Sequence, residues 1–119
     1  MTPFDPATLR YDANGLITDV AQQHDTGEVL MVAWMNAEAV ARTLAEGRVV
    51  YWSRSRQAFW RKGDTSGHVQ SLVEMRIDCD RDTLLLCVDQ IGPACHTGAR
   101  SCFFTSVDAE TGERPVANG

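Results

Sequence analysis

Histidine is scarce in this chain, with three residues in 119, and proline and cysteine number four each. No apolar run approaches the roughly 20 residues needed to cross a bilayer. Residues 1–6 (M-T-P-F-D-P) have no basic stretch leading into an apolar one. Neither a membrane partner nor a secretory signal is therefore expected. Without such a signal, the four cysteines are expected to be reduced thiols in the cytoplasm, available for metal. No C-x2-C pair occurs, which argues against a closed structural zinc site, and the absence of G-x4-G-K excludes a Walker phosphate loop. Positive charge is also short. Eleven Lys and Arg face sixteen Asp and Glu, a net charge of −5. Bulk electrostatics thus favours no nucleic-acid partner, and an anionic ligand needs a local basic cluster.

What is present suits a globular protein: 44% hydrophobic and 23% charged residues, in a length typical of one domain over 1–119. Residues 1–14 and 108–119 are expected to be flexible ends. An N-G turn signal at 14–15 precedes a predicted strand at 16–24, and D-T-G at 25–27 leads to a mostly buried strand at 28–35. Asn36 is a good helix N-cap. Ala37, Val40, Ala41 and Leu44 then recur at helical spacing until Gly47. Strands are predicted at 49–53, 69–77, 84–88 and 103–107, with a polar, glycine-bearing stretch at 54–68 and an irregular loop at 92–101. The expected fold is α+β, a single sheet-dominated domain with one main helix among five or six strands.

Residues 77–104 hold all four cysteines and one of the histidines. If 78–82 is extended, Asp78, Asp80 and Asp82 share one face and Cys79 points the other way. Three aligned carboxylates suit a hard cation such as Mg2+. The alternative is a solvated aspartate turn between two strands. Cys79, Cys95 and Cys102 offer three thiolates and leave a position for water, as catalytic Zn2+ sites do. They also fit as small buried apolar residues, the reading that suits Cys87 in L-L-L-C-V best. Residues 53–68 concentrate Arg54, Arg56, Arg61 and Lys62 with Thr65, Ser66 and two glycines, a composition that fits an anion site or a polar surface loop. Trp60 either stacks on a base or packs the loop onto the core. His68 and His96 are the plausible bases or ligands, since both lie in polar, glycine-bearing segments.

Four motifs, G-E-V-L-M-V-A-W-M-N, W-R-K-G-D-T-S-G-H, D-C-D-R-D and A-C-H-T-G-A-R-S-C-F, occur in order. Over residues 15–107 the chain resembles phosphoribosyl-AMP cyclohydrolase, an enzyme of histidine biosynthesis. The resemblance implies a cytoplasmic, intertwined homodimer that needs Zn2+ and Mg2+ and takes a phosphorylated nucleotide as its small-molecule substrate. It implies zinc on Cys95 and Cys102 with Cys79 from the partner subunit, and magnesium on Asp78, Asp80 and Asp82. The reaction it implies is hydrolysis of the N1–C6 bond of an adenine carrying phosphoribose on N1, with His96 or His68 as proton carrier. Arg54, Arg56, Trp60, Arg61, Lys62, Thr65 and Ser66 are the expected substrate contacts. A zinc-stabilised binding module without catalysis is the alternative. A zinc nucleobase deaminase fits less well, since neither H-x-E nor P-C-x-x-C is present.

Overall fold

A computed structural model describes residues 3–116. Among them are eight strands and one α-helix. β1 (Ile17–Gln23), β2 (Val29–Met35), β5 (Gln70–Ile77) and β6 (Thr83–Gln90) form one sheet in the order β2-β1-β6-β5. β1–β2 and β5–β6 are antiparallel hairpins, and β1 and β6 join them in parallel, with Val20 opposite Leu85. The central strands carry the core: Ile17 and Ala21 of β1 and Leu84, Leu86 and Val88 of β6 are almost wholly buried. They pack with Leu30 and Met35 of β2, Val40 of the helix, and Val49 and Tyr51.

Helix α1 (Ala37–Glu46) starts where the Asn36 side chain accepts the Ala39 N–H at 2.8 Å, and it closes at Gly47. Its inner face differs from the predicted one. Ala39, Val40 and Thr43 are buried, while Leu44 is exposed. Thr43 turns inward because its hydroxyl accepts the Val50 N–H at 2.9 Å and donates to the Val50 carbonyl. A hydroxyl satisfied in this way can occupy a core position. The first strand after the helix, β3 (Val50–Ser53), is thereby fastened to it.

Residues 54–68 are less irregular than predicted. β4 (Ala58–Arg61) pairs antiparallel with β3. The pairing sets aromatic against aromatic: Tyr51 faces Trp60 with ring centres 5.3 Å apart, and Trp52 meets Phe59 edge-on at 5.0 Å. Cross-strand aromatic pairs of this kind stabilise a hairpin. β7 (Thr105–Asp108) pairs with β8 (Gly112–Pro115), where the sequence suggested no strand, in a ribbon apart from the main sheet. Near the other end, Leu9 is buried and the Tyr11 hydroxyl donates to the Pro6 carbonyl. Residues 1–2 and 117–119 lie outside the described residues.

Candidate active site

Residues 91–102 run from the end of β6 back to β2, and buried polar side chains fix their course. Gln90 Nε2 donates to the carbonyls of Gly92 and Arg100, one at each end of the loop. Its Oε1 accepts from Gln70 Nε2, and Gln70 Oε1 accepts from the Tyr51 hydroxyl. Arg100 donates to Gln23 and pairs with Glu28. The Cys102 N–H donates to the Leu30 carbonyl at 2.7 Å. Gln23, Tyr51, Gln70 and Gln90 are buried and costly to leave unpaired, so the network specifies one loop conformation.

The loop forms one wall of a cleft of about 600 Å³. Cys95, Cys102, His96 and His68 line it, together with Trp60, Lys62, Gly63, Thr65 and Ser66. Two glycines permit the close packing. A side chain at Gly92 would strike the His68 ring at 2.5 Å, and one at Gly63 would strike the Val69 backbone at 2.5 Å. Cys95 and Cys102 both line the cleft, close enough for each thiol to shift the other's ionisation. The Thr97 hydroxyl donates to Cys95 Sγ at 3.0 Å and holds that thiol below its ordinary pKa. Burial, followed by the charge of Cys95, pushes Cys102 up. Lys62 is 6% exposed and its charge faces both sulfurs; burial holds its pKa down although the thiols oppose that shift. A pair of facing thiols, one of them acidified, is a donor set suited to Zn2+.

Cys79 is elsewhere. It is exposed in the β5–β6 turn, while the Cys95 loop leaves the other end of that hairpin. Six residues of β6 separate Leu84 from Gln90, which amounts to ~20 Å along the strand. One chain therefore does not bring its own three cysteines together. Cys87 is buried in β6.

Residues 78–82 are a turn and not an extended face, yet the turn gathers the three aspartates more closely than a strand would. Asp78 Oδ1 accepts the N–H groups of Asp82 and Thr83, and Arg81 sits at φ 66°. One oxygen from each of Asp78, Asp80 and Asp82 lies within 4.8 Å of the others, so the three could share one cation. The Asp80 pKa is raised because its protonated carboxyl can donate to Asp82 and Asp78, with desolvation and then their charges adding to the shift. Partial burial would raise Asp78, but the backbone N–H of Thr83 and its neighbours outweigh it and the net shift is downward. The turn reading is met; the extended segment, with Cys79 on the face opposite the aspartates, is not, and the carboxylates cluster through the turn instead.

The basic residues divide into two groups. Arg61 is held by Glu46 at 2.7 Å and Asp64 at 3.5 Å. Arg54 and Arg56 have no carboxylate within 4 Å among the described residues, and they line a second cleft with Trp34 and Trp52. Trp34, which sequence reasoning passed over as a strand residue, lies with its ring centre 3.4 Å below the Arg54 guanidinium. The only available signal was its place in A-W-M-N just before the helix cap.

Among the described residues, no helix is long and apolar enough to cross a membrane. Residues 31–104 match the family model of phosphoribosyl-AMP cyclohydrolase. Similar proteins bearing that name include one from Jannaschia sp. (strain CCS1), 74% identical over 107 residues that make up 90% of each chain. A relative from Cereibacter sphaeroides (strain KD131 / KCTC 12085) is 75% identical over 87% of each chain. One from Paracoccus denitrificans (strain Pd 1222) is 71% identical over 87% of this chain and 86% of its own. At these identities, and with a family match spanning both the thiol pair and the aspartate turn, the chain belongs to the phosphoribosyl-AMP cyclohydrolase family.

Proposed function

We propose that this chain hydrolyses the N1–C6 bond of N1-(5-phosphoribosyl)-AMP, a step of histidine biosynthesis, in the cytoplasm and as a homodimer. The observation that carries the reading is the cleft holding two facing thiols, two imidazoles and a buried ammonium. Cys95 and Cys102, with Cys79 of the partner subunit, would hold zinc. The placement of Cys79 in the β5–β6 turn, with the Cys95 loop leaving the far end of a ~20 Å strand, supports a ligand donated across a two-fold. When bound, zinc supplies Lewis acidity that brings the pKa of a water toward ~7. Asp78, Asp80 and Asp82 would hold Mg2+.

The chain's own residues do the remaining work. Phosphoribose on N1 makes C6 electrophilic, so a water oxygen adds there. The C6–N1 bond breaks, its electron pair goes to N1, and C6 becomes a carboxamide. His96, beside Cys95 on the cleft wall, takes the water's proton and returns it to N1. His68, held against Gly92, is the second candidate. Trp60 faces the adenine. Lys62, Thr65 and Ser66 bind a phosphoryl end, and Arg61 contributes by holding the loop through Glu46 and Asp64. The test is to incubate purified protein, supplied with Zn2+ and Mg2+, with phosphoribosyl-AMP and follow ring opening by ultraviolet absorbance. No absorbance change would reject the reaction.

A further inference from the structure

We propose that the cleft around Arg54 and Arg56 binds the N9 ribose 5′-phosphate of the substrate, its AMP half, across Trp60 from the thiols. This assignment rests on the reaction proposed above and adds which residues take which end of the nucleotide.

Three observations support it. The first is charge. In a chain of net charge −5, Arg42, Arg48, Arg61, Arg76 and Arg100 are paired with carboxylates, whereas Arg54 and Arg56, two residues apart, are not. Arg10, Arg81 and Arg114 also lack such pairs among the described residues, but they line neither cleft. Two unpaired guanidinium groups lining one cleft give it a positive potential that favours an anion.

The second is shape and donor geometry. The cleft has a volume of about 670 Å³, within the usual range for small-molecule sites, and Trp34, Trp52 and Trp60 form its aromatic walls. The Arg54 guanidinium is stacked on Trp34, which fixes the direction of its donors before a ligand arrives. Ser53 and Ser55 hydroxyls lie 3.4 Å apart, and the Arg56 N–H donates to Ser53 Oγ. A fixed Arg54 guanidinium fork, with Arg56 and two hydroxyls on the same cleft wall, matches the oxygens of a phosphate monoester.

The third is adjacency. Met31 and Trp60 line both clefts, so one ligand can reach from one to the other. C6 and N1 must lie on the thiol side, where the bond breaks. The N1 phosphoribose is attached beside the reacting carbon and stays on that side, with Lys62, Thr65 and Ser66. N9 is on the five-membered ring, at the opposite edge of the purine, so its arm points past Trp60 toward Arg54 and Arg56.

The experiment measures calorimetric binding of AMP and adenosine to the full chain, and steady-state kinetics with phosphoribosyl-AMP. Variants are Arg54→Met, Arg56→Met, the double substitution, and Arg76→Met. Methionine retains an apolar stem that can still rest on the tryptophans. The expectation is that the wild type binds AMP but not adenosine. The double variant should weaken AMP at least about tenfold and raise KM by a similar factor with kcat little changed, the pattern of lost uniform binding. Arg76→Met should leave AMP affinity within about twofold, because that guanidinium is paired with Glu74 and lines neither cleft. If the double variant does not fold, Arg54→Lys gives the answer, with a loss of about three- to tenfold expected from the missing fork. Equal binding of AMP and adenosine, no AMP binding at millimolar concentration, or unchanged AMP affinity in the folded variants would each overturn the assignment. Loss of AMP binding in the double variant, together with no ring opening by the wild type, would keep the nucleotide site and reject the reaction.

Discussion

Lys62 Nζ donates a 3.1 Å hydrogen bond to the carbonyl oxygen of Ala94, the residue before Cys95. It is the only lysine in the chain. The bond ties the end of β4 to the cysteine loop and leaves a positive charge beside two sulfurs, so hairpin and loop are positioned together.

The electrostatics of the thiol pair can be read from alkylation of the metal-free protein. Cys95 is lowered chiefly by the Thr97 hydroxyl, with Lys62 a smaller contributor. Its thiolate therefore persists to lower pH than that of an ordinary thiol. Thr97→Val should move the pH profile of Cys95 alkylation upward, and Lys62→Met should move it less. Lys62→Met should also cost about 1–3 kcal/mol of stability, because it leaves the buried Ala94 carbonyl without a donor. Superimposable profiles for wild type and Thr97→Val would remove the hydroxyl from this role.

Subunit mixing addresses the distance between Cys79 and the other two thiols. Cys79→Ala and Cys95→Ala should each be inactive and zinc-poor. In co-expressed heterodimers, one site joins intact Cys79 from one chain to intact Cys95 and Cys102 from the other. Activity and zinc should then return to about half of the wild-type level, since one of two sites is restored. Verified heterodimers that remain inactive would place the complete site within a single chain.

The aspartate turn separates structural from ligand roles. Asp78 closes the turn through two backbone N–H groups, whereas Asp80 does not. Asp80→Asn is therefore the cleaner probe. It should fold and keep zinc, yet show low activity that excess Mg2+ partly restores, because Mg2+ is held weakly through few carboxylates. The readout is rate against Mg2+ concentration, with zinc content checked in both proteins. Coincident curves would leave the cluster as a turn alone.

Asp19 predicts a pH-dependent stability unrelated to the clefts. It is fully buried on β1, neither carboxylate oxygen has a hydrogen-bond partner, and burial raises its pKa well above the ordinary value. The folded state therefore holds the proton more tightly than the unfolded chain. This contribution is fully present below the unfolded value of about 4 and is lost as pH rises through the folded value. Asp19→Asn cannot ionise and should flatten that decline, with a gain on the order of 1–3 kcal/mol at pH 8. The same slope of melting temperature against pH in both proteins would show that Asp19 does not titrate on unfolding.

The sequence alone marked the candidate ligand segments and most of the strands. Apolar runs at 28–35 and 84–88 can only be strands of this core, and the Asn36 and Gly47 signals bound the helix because capping is a local event. Cysteine and aspartate identities likewise suggested two kinds of metal donor, since ligand preference belongs to the side chain itself. Other features needed partners distant in sequence. The inward face of α1 depended on Val50 receiving the Thr43 hydroxyl, and β4 existed only once Tyr51 and Trp52 met Trp60 and Phe59. Tertiary structure likewise decided how the arginines are partnered, because Glu46 reaches Arg61 across fifteen residues while, among the described residues, no carboxylate reaches Arg54 or Arg56. It also set Cys79 at the opposite end of the β5–β6 hairpin from the Cys95 loop, since a hairpin sends its turn and its open end in opposite directions.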